Sequence, residues 1–259
     1  MKRLHSNLLL SISGIFFVFL VGVIASLIFA IPARQVEAAP VSFAAFGDYG
    51  WAGSNELAVA NMVKSWNPDF MITTGDNSYG SAAIDVNIGQ YYSDYIGNYI
   101  GGYGPGSPTN RFFPSMGNHD YTDGGGSTAY FNYFTLPGNE RYFDFVQGPV
   151  HFFVIDSNPG GIGIPPAPGD GRSPSSTQAT WLQAQLAAST SPWKIVYMHH
   201  PPYSSSSSHG SETAMQWPYE AWGATAVFAG HDHVYERILR DDNSDGVDMP
   251  YFTTGAGGR

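Results

Sequence analysis

The sequence contains no cysteine and few charged residues. The absence of cysteine from 259 residues excludes disulfides, thiolate zinc sites, iron–sulfur clusters and cysteine nucleophiles. Charged residues make up 12% of the chain, and 11 Lys and Arg face 21 Asp and Glu, which gives a formal net charge of −10. A chain this acidic is not expected to bind a nucleic-acid backbone. Its chemistry is therefore left to carboxylates, histidines and hydroxyl groups.

The N-terminus has the pattern of an export signal. Lys2 and Arg3 precede an apolar stretch at 8–31, and small residues surround Ala38 and Ala39. This pattern predicts a secretory signal peptide over 1–38, cleaved between Ala38 and Ala39. The alternative is an uncleaved N-terminal membrane anchor, because the apolar stretch is long enough to cross a bilayer. Either interpretation places 39–259 outside the cytoplasm, secreted or at the outer face of the membrane, with membrane contact only through an uncleaved N-terminal segment.

The rest of the chain has the pattern of one α/β domain. Short apolar runs alternate with helical patterns from Val41 onward, without an internal repeat or a long linker. Helices are predicted at 54–66, with Ser54 as its cap, at 175–188, with a capping box formed by Ser175 and Gln178, and within 85–100. Long loops are predicted at 101–110, 158–174 and 204–211. Strands are predicted at 41–46, 70–73, 142–146, 150–155, 194–198, 224–229 and 251–254. Because the sequence stops directly after the last strand, we expect residues to be missing beyond Arg259.

Polar motifs follow five of the apolar runs. They read GDYG at 47–50, GDNSY at 75–79, GNHD at 117–120, HHPP at 199–202 and GHDH at 230–233. Ligands of α/β sheets bind at the carboxyl ends of strands, so these motifs are expected to meet. Clustered carboxylates and imidazoles need a positive charge to hold them together. Oxygen and nitrogen donors without thiolate favour two hard or borderline divalent or trivalent metal ions.

The ordered motifs resemble those of the calcineurin-like metallophosphoesterases, and more narrowly of the purple acid phosphatase branch, from residue 41 to the end. Much of the wider family has a histidine ligand where this chain has Gly50. The purple branch instead has a tyrosine three residues after the second aspartate, and Tyr79 stands there, after Asp76. The resemblance implies a four-layer α/β/β/α sandwich that holds two metal ions.

The resemblance also implies a role for each motif residue. Asp48, Tyr79 and His233 would bind the first ion, Asp76 would bridge the two, and Asn118, His199 and His231 would complete the second site. The phenolate of Tyr79 implies Fe(III) at the first site, with Fe(II), Zn or Mn at the second. His119 is implied to contact the phosphate and to protonate the leaving group. Asp120 is expected to orient His119.

Four polar residues near the motifs have weaker assignments. His209 resembles a substrate-facing histidine of plant-type members, and the alternative is a solvated loop residue. His200 is expected to point away from His199, because neighbours at a strand end face opposite sides. Asp232 is expected to face solvent, and His151 to be a hydrogen-bonded histidine of a sheet.

These observations predict a secreted binuclear-metal phosphoesterase of the acid phosphatase type. It would hydrolyse small phosphomonoesters by attack of a metal-bound hydroxide. The same metal motifs fit a phosphodiesterase or nucleotidase of the family. A non-catalytic exported binding module is the alternative from another class, which a replaced ligand would favour; no ligand position is replaced.

Overall fold

The computed structural model describes residues 39–159 and 171–259. The predicted signal peptide or anchor at 1–38 and most of the predicted loop at 158–174 lie outside the described residues. Within the two described ranges, no helix is both long enough and apolar enough to cross a membrane. Ala39–Arg259 form one compact unit.

The first sheet contains three parallel strands: β1 (Phe43–Phe46), β2 (Phe70–Thr73) and β3 (Phe112–Pro114), in that order. Every residue of the central strand is buried, as its apolar sequence requires for a parallel strand covered on both faces. Because the three strands run in one direction, the motifs that follow them leave the same edge of the sheet.

The second sheet contains the other strands: β4 (Phe143–Gln147), β5 (Val150–Val154), β6 (Trp193–Tyr197), β7 (Ala226–Ala229), β8 (Tyr235–Arg240) and β9 (Met249–Thr254). Their order is β4-β5-β6-β7-β9-β8, with parallel pairing from β5 to β9 and an antiparallel strand at each edge. The parallel strands β6 and β7 therefore deliver the histidine motifs to one edge of this sheet.

The two sheets pack face to face through aromatic rings. The ring of Phe43 in β1 lies 5.1 Å from that of Phe152 in β5, edge to face. The ring of Phe113 in β3 stacks on Phe145 in β4, with centroids 3.9 Å apart. These pairs belong to the apolar core that contains residues of both sheets.

Helices cover the sandwich on both sides. They are α1 (Ser54–Ser65), α2 (Ile84–Asn87), α3 (Gly89–Tyr92), α4 (His119–Thr122), α5 (Gly126–Tyr133) and α6 (Thr177–Ala188). Helix α1 buries Ala60 and Val63 in the core that contains the first sheet. Helix α6 buries Leu182 and Leu186 against the other face of the second sheet. The predicted four-layer α/β/β/α sandwich is confirmed.

The predicted helix starts need small corrections. Gly53, not Ser54, occupies the N-cap position of α1, so no side chain caps this helix. The cap of α6 is Ser176, whose hydroxyl oxygen accepts a hydrogen bond from the backbone N–H of Ala179 at 3.2 Å. The predicted capping box fails because the Gln178 side chain accepts a hydrogen bond from the backbone N–H of Asp156 at 2.7 Å instead.

Candidate metal centre

The structure brings all seven predicted ligand side chains to the edge where the strand ends of the two sheets meet: Asp48, Asp76, Tyr79, Asn118, His199, His231 and His233. Three of them have positive backbone φ angles, 56° at Asp48, 51° at Asp76 and 68° at His231. Non-glycine residues rarely adopt this conformation, and such strain concentrates at functional sites.

Three donor atoms form a nearly equilateral triangle at the first predicted site. The Tyr79 hydroxyl lies 3.1 Å from Oδ1 of Asp48 and 3.4 Å from Nε2 of His233. Oδ1 of Asp48 lies 3.4 Å from the same Nε2. Metal–ligand bonds of about 2.0–2.2 Å place neighbouring donors about 3 Å apart, so these three atoms can bind one ion.

The second predicted site is arranged around Nε2 of His199. This nitrogen lies 3.1 Å from Oδ1 of Asn118, 3.1 Å from Nδ1 of His231 and 3.4 Å from Oδ2 of Asp76. Nδ1 of His199 lies 2.7 Å from the carbonyl oxygen of Thr74. Because a carbonyl only accepts hydrogen bonds, Nδ1 carries a proton, and Nε2 is the nitrogen that could bind an ion.

Asp76 lies between the two groups of donors. Asp48, Asp76 and His199 each offer one donor atom within 4.8 Å of the others. Oδ2 of Asp76 faces His199, while Oδ1 accepts a hydrogen bond from the backbone N–H of His119 at 2.9 Å. This is the position that a bridging carboxylate requires.

The centre buries an excess of acidic groups. Asp48 and Asp76 are 0% and 2% exposed. Burial raises the pKa of Asp48, and burial together with the carboxylates of Asp48 and Asp76 raises the pKa of Tyr79 above its ordinary value. Burial would lower the pKa of His199, but Asp76 and Asp48 raise it to about 9. Cations would relieve this crowding, and the oxygen and nitrogen donors fit two hard or borderline ions.

Glycines allow the motif loops to approach each other. A Cβ atom at Gly117 would overlap Oδ1 of Asp76, and a Cβ atom at Gly230 would lie 2.5 Å from Oδ2 of Asp48. Even alanine would therefore displace a predicted ligand at either position.

The predicted pairing of Asp120 with His119 is wrong. Asp120 is buried and accepts hydrogen bonds from the backbone N–H groups of Gly117 and Asn77 at 2.8 and 3.0 Å. Nδ1 of His119 instead lies 2.8 Å from Oδ2 of Asp123. Residues four apart share one face of a helical turn, whereas the adjacent residue points elsewhere. The spacing within HDYTD was the signal that sequence reasoning missed.

The side chain of His119 remains 39% exposed beside the donors. Its ring lies 4.4 Å from the ring of Tyr79, measured between centroids. Oδ2 of Asp123, which lies beside Nδ1 of His119, also accepts a hydrogen bond from the backbone N–H of Gly80 at 2.7 Å. The same carboxylate therefore fixes the His119 ring and the loop that carries Tyr79.

The predicted loop at 204–211, called the serine loop below, lies against the second group of donors. His209 is exposed, and its ring lies 4.0 Å from that of His231 between centroids, at an interplanar angle of 34°. The prediction that Asp232 faces solvent is wrong: it is buried and accepts hydrogen bonds from the Ser204 hydroxyl at 2.7 Å and from the backbone N–H of His209 at 3.1 Å. The loop thus supplies the hydrogen-bond donors that a buried carboxylate needs.

Two further histidines have defined partners. His200 was predicted to point away from His199, but its ring lies 4.9 Å from that of His199 and 4.4 Å from that of His231, and its Nδ1 lies 2.9 Å from the Ser157 hydroxyl. Burial lowers its pKa well below the ordinary value. His151 is a hydrogen-bonded sheet histidine as predicted, 2.7 Å from Oδ2 of Asp144.

Comparison of the chain with known proteins points to one protein family. The model of the calcineurin-like phosphoesterase family matches residues 41–235. Purple acid phosphatase 23 of Arabidopsis thaliana is 26% identical over 88% of this chain and 55% of its own length. The human tartrate-resistant acid phosphatase type 5 is 26% identical over 83% of this chain and 72% of its own length. This chain thus spans about half the length of the Arabidopsis relative.

A solved structure shows the same fold. The purple acid phosphatase PPD1 from yellow lupin seeds superposes with a TM-score of 0.63 at 16% identity, over 85% of this chain and 45% of that one. The chain therefore belongs to the calcineurin-like phosphoesterase family and is similar, within it, to the purple acid phosphatases.

Proposed function

We propose that the protein is a binuclear-metal phosphoesterase that hydrolyses phosphomonoesters, of the acid phosphatase type. The observation that carries the proposal is the complete pair of donor groups that share Asp76, with His119 exposed beside them. The similarity to purple acid phosphatases supports it.

Each group of residues at the centre has its own proposed role in hydrolysis. When bound, two ions supply positive charge that stabilises a phosphoryl transition state and acidifies water. His119 protonates the departing oxygen, and Asp123 holds its ring in place. Gly117 and Gly230 begin the loops that position Asn118 and His231, and the contact of Nδ1 with the carbonyl oxygen of Thr74 orients the His199 ring. Because a phenolate favours a trivalent ion, we propose Fe(III) in the Tyr79 group and Fe(II), Zn or Mn in the other.

Hydrolysis assays separate this proposal from its alternatives. The purified protein should hydrolyse phenyl phosphate faster than diphenyl phosphate, and Asp76→Asn should abolish both activities. Asp144→Asn is the matched control, because Asp144 on β4 pairs with His151 on β5, and His151 is not a predicted ligand. Faster hydrolysis of the diester would establish a phosphodiesterase. Absence of all phosphatase activity in a metal-loaded protein would favour the non-catalytic module.

We also propose export of residues 39–259, on the strength of the N-terminal pattern. Cell fractionation with N-terminal sequencing should find the protein outside the cytoplasm with Ala39 at or near its start. A membrane-bound protein that begins at Met1 would indicate the anchor, and soluble cytoplasmic protein would contradict export altogether.

A further inference from the structure

The ring of His231 is held differently from that of the other imidazole in the second group of donors. Nδ1 of His199 lies 2.7 Å from the carbonyl oxygen of Thr74, which orients the His199 ring. Nδ1 of His231 faces Nε2 of His199 at 3.1 Å, so its Nε2 is the nitrogen left for an orienting hydrogen bond. Within 39–159 and 171–259, no residue forms one with it. Histidines that bind metals usually have such a partner.

Packing therefore has to set the direction of the His231 ring. The torsion that turns an imidazole is soft, so the backbone alone does not fix where its nitrogens point. The backbone N–H of His231 donates to Oδ2 of Asp48 at 2.8 Å, which anchors the main chain but not the ring. Besides His199, two rings pack against it. The centroid of His200 lies at 4.4 Å and that of His209 at 4.0 Å, with interplanar angles of 48° and 34°.

These two neighbours are themselves fixed in different ways. His200 is buried, and its Nδ1 lies 2.9 Å from the hydroxyl of Ser157. His209 is exposed, and its ring nitrogens have no hydrogen-bond partner in the part of the chain that the structure describes. Its backbone N–H donates to Oδ1 of Asp232 at 3.1 Å, and that of Gly210 donates to Oδ2 at 3.1 Å. Asp232 thus places the His209 ring by fixing its backbone.

We propose that His209 is a positioning residue for the second ion. Its ring packs against His231 and keeps Nδ1 of His231 directed at the other donors of the second group. Asp232, which lies between two predicted ligands in the chain, fixes the serine loop that carries His209. This inference rests on the proposed function and adds to it a residue that acts through the shape of its ring rather than through its polar atoms.

Two variants of His209 separate packing from polar chemistry. His209→Ala removes the ring, whereas His209→Phe keeps a flat ring without a polar atom. Proteins loaded with zinc at both sites are titrated with a chelator, and the zinc that stays bound is measured. The ion that His231→Ala fails to hold identifies the second site. His209→Ala should bind this ion on the order of 10-fold more weakly than the wild type, and His209→Phe should bind it as the wild type does.

Ser208→Ala is the matched control, because Ser208 is an exposed neighbour of His209 in the serine loop. This variant should hold the second ion like the wild type. The inference would be overturned by equal weakening in His209→Phe and His209→Ala, which would assign the effect to the polar atoms of His209. Weakening of the same size in Ser208→Ala, or unchanged binding in His209→Ala, would overturn it as well.

A further variant tests the route through Asp232. The hydroxyl of Ser204, at the other end of the serine loop, donates to Oδ2 of Asp232 at 2.7 Å. Ser204→Ala should weaken binding of the second ion when His209 is present and add nothing in a double variant with His209→Ala. Effects that multiply in the double variant would refute this route. A wild type that binds only one zinc ion would contradict the proposed function as well, whereas the other contrary outcomes contradict only this inference.

Discussion

Glu56 is a buried acid that should make the protein less stable as the pH rises, because burial disfavours its charged form. It lies in the first turn of α1, is 0% exposed, and neither carboxyl oxygen has a hydrogen-bond partner among the described residues. Burial raises its pKa from the ordinary 4.5 to about 9. The positive end of the helix favours the charged form by about 0.3–1 kcal/mol, which is too little to reverse the effect of burial.

The magnitude follows from linkage between protonation and folding. Between pH 4.5 and 9 the folded protein holds a proton on Glu56 that the unfolded chain releases. The contribution of Glu56 to stability is therefore greatest below pH 4.5 and falls as the pH rises toward 9. At about 1.36 kcal/mol per pH unit, the interval from pH 5 to 8 accounts for about 4 kcal/mol as an upper bound. Relaxation and water entry reduce this cost, so we expect about 2 kcal/mol.

Glu56→Gln isolates the effect, because the amide has nearly the same shape and does not titrate. Urea unfolding of both proteins at pH 5 and pH 8 gives four free energies of unfolding. The wild type should lose about 2 kcal/mol more than the variant between the two pH values. Other titrating groups are common to both proteins and cancel in the comparison. A difference between the proteins that stays constant with pH, or grows in favour of the wild type, would refute the reasoning.

Three further predictions concern the centre. His119→Ala should retain its metals and lose on the order of 10²–10⁴ in kcat, measured with metal analysis; loss of metal would mean that His119 is a ligand. Asp123→Asn should change the ¹⁵N chemical shifts of the His119 ring in NMR spectra and lower kcat, whereas unchanged shifts would deny Asp123 a positioning role. Tyr79→Phe should remove the visible absorption of the iron-loaded protein while circular dichroism stays the same; a colourless wild type that contains iron would rule out a Tyr79–Fe(III) bond.

The α/β class and the meeting of the polar motifs at one edge were accessible from the sequence because they follow a repeated local rule, whereas the four-layer sandwich and the roles of the ligands were implied by the family resemblance. Each ligand motif comes directly after an apolar run, and parallel strands bring such motifs to one edge. That rule locates Asp48 or His199 without knowledge of the packing. Strand β8 was missed for the opposite reason: Tyr235–Arg240 is an edge strand with charged and exposed residues, so its sequence lacks the apolar pattern of a strand.

The partners of the ligands were less accessible, because they depend on how loops close. Asp120 and Asp123 both follow His119 closely, and only the turn of α4 decides which carboxylate reaches its ring. Asp232 is flanked by two predicted ligands and was predicted to face solvent. Its burial follows from backbone N–H groups of the serine loop that are far from it in sequence.

Metal content tests the central claim most directly. The purified wild type should contain two metal ions per chain. Because Asp76 lies between both groups of donors, Asp76→Ala should lose the normal occupancy of both sites, while Asp144→Ala should retain two ions. Elemental analysis of the three proteins after the same purification gives the answer. A wild type with at most one ion per chain, or an Asp76→Ala variant that keeps two, would contradict a binuclear centre bridged by Asp76.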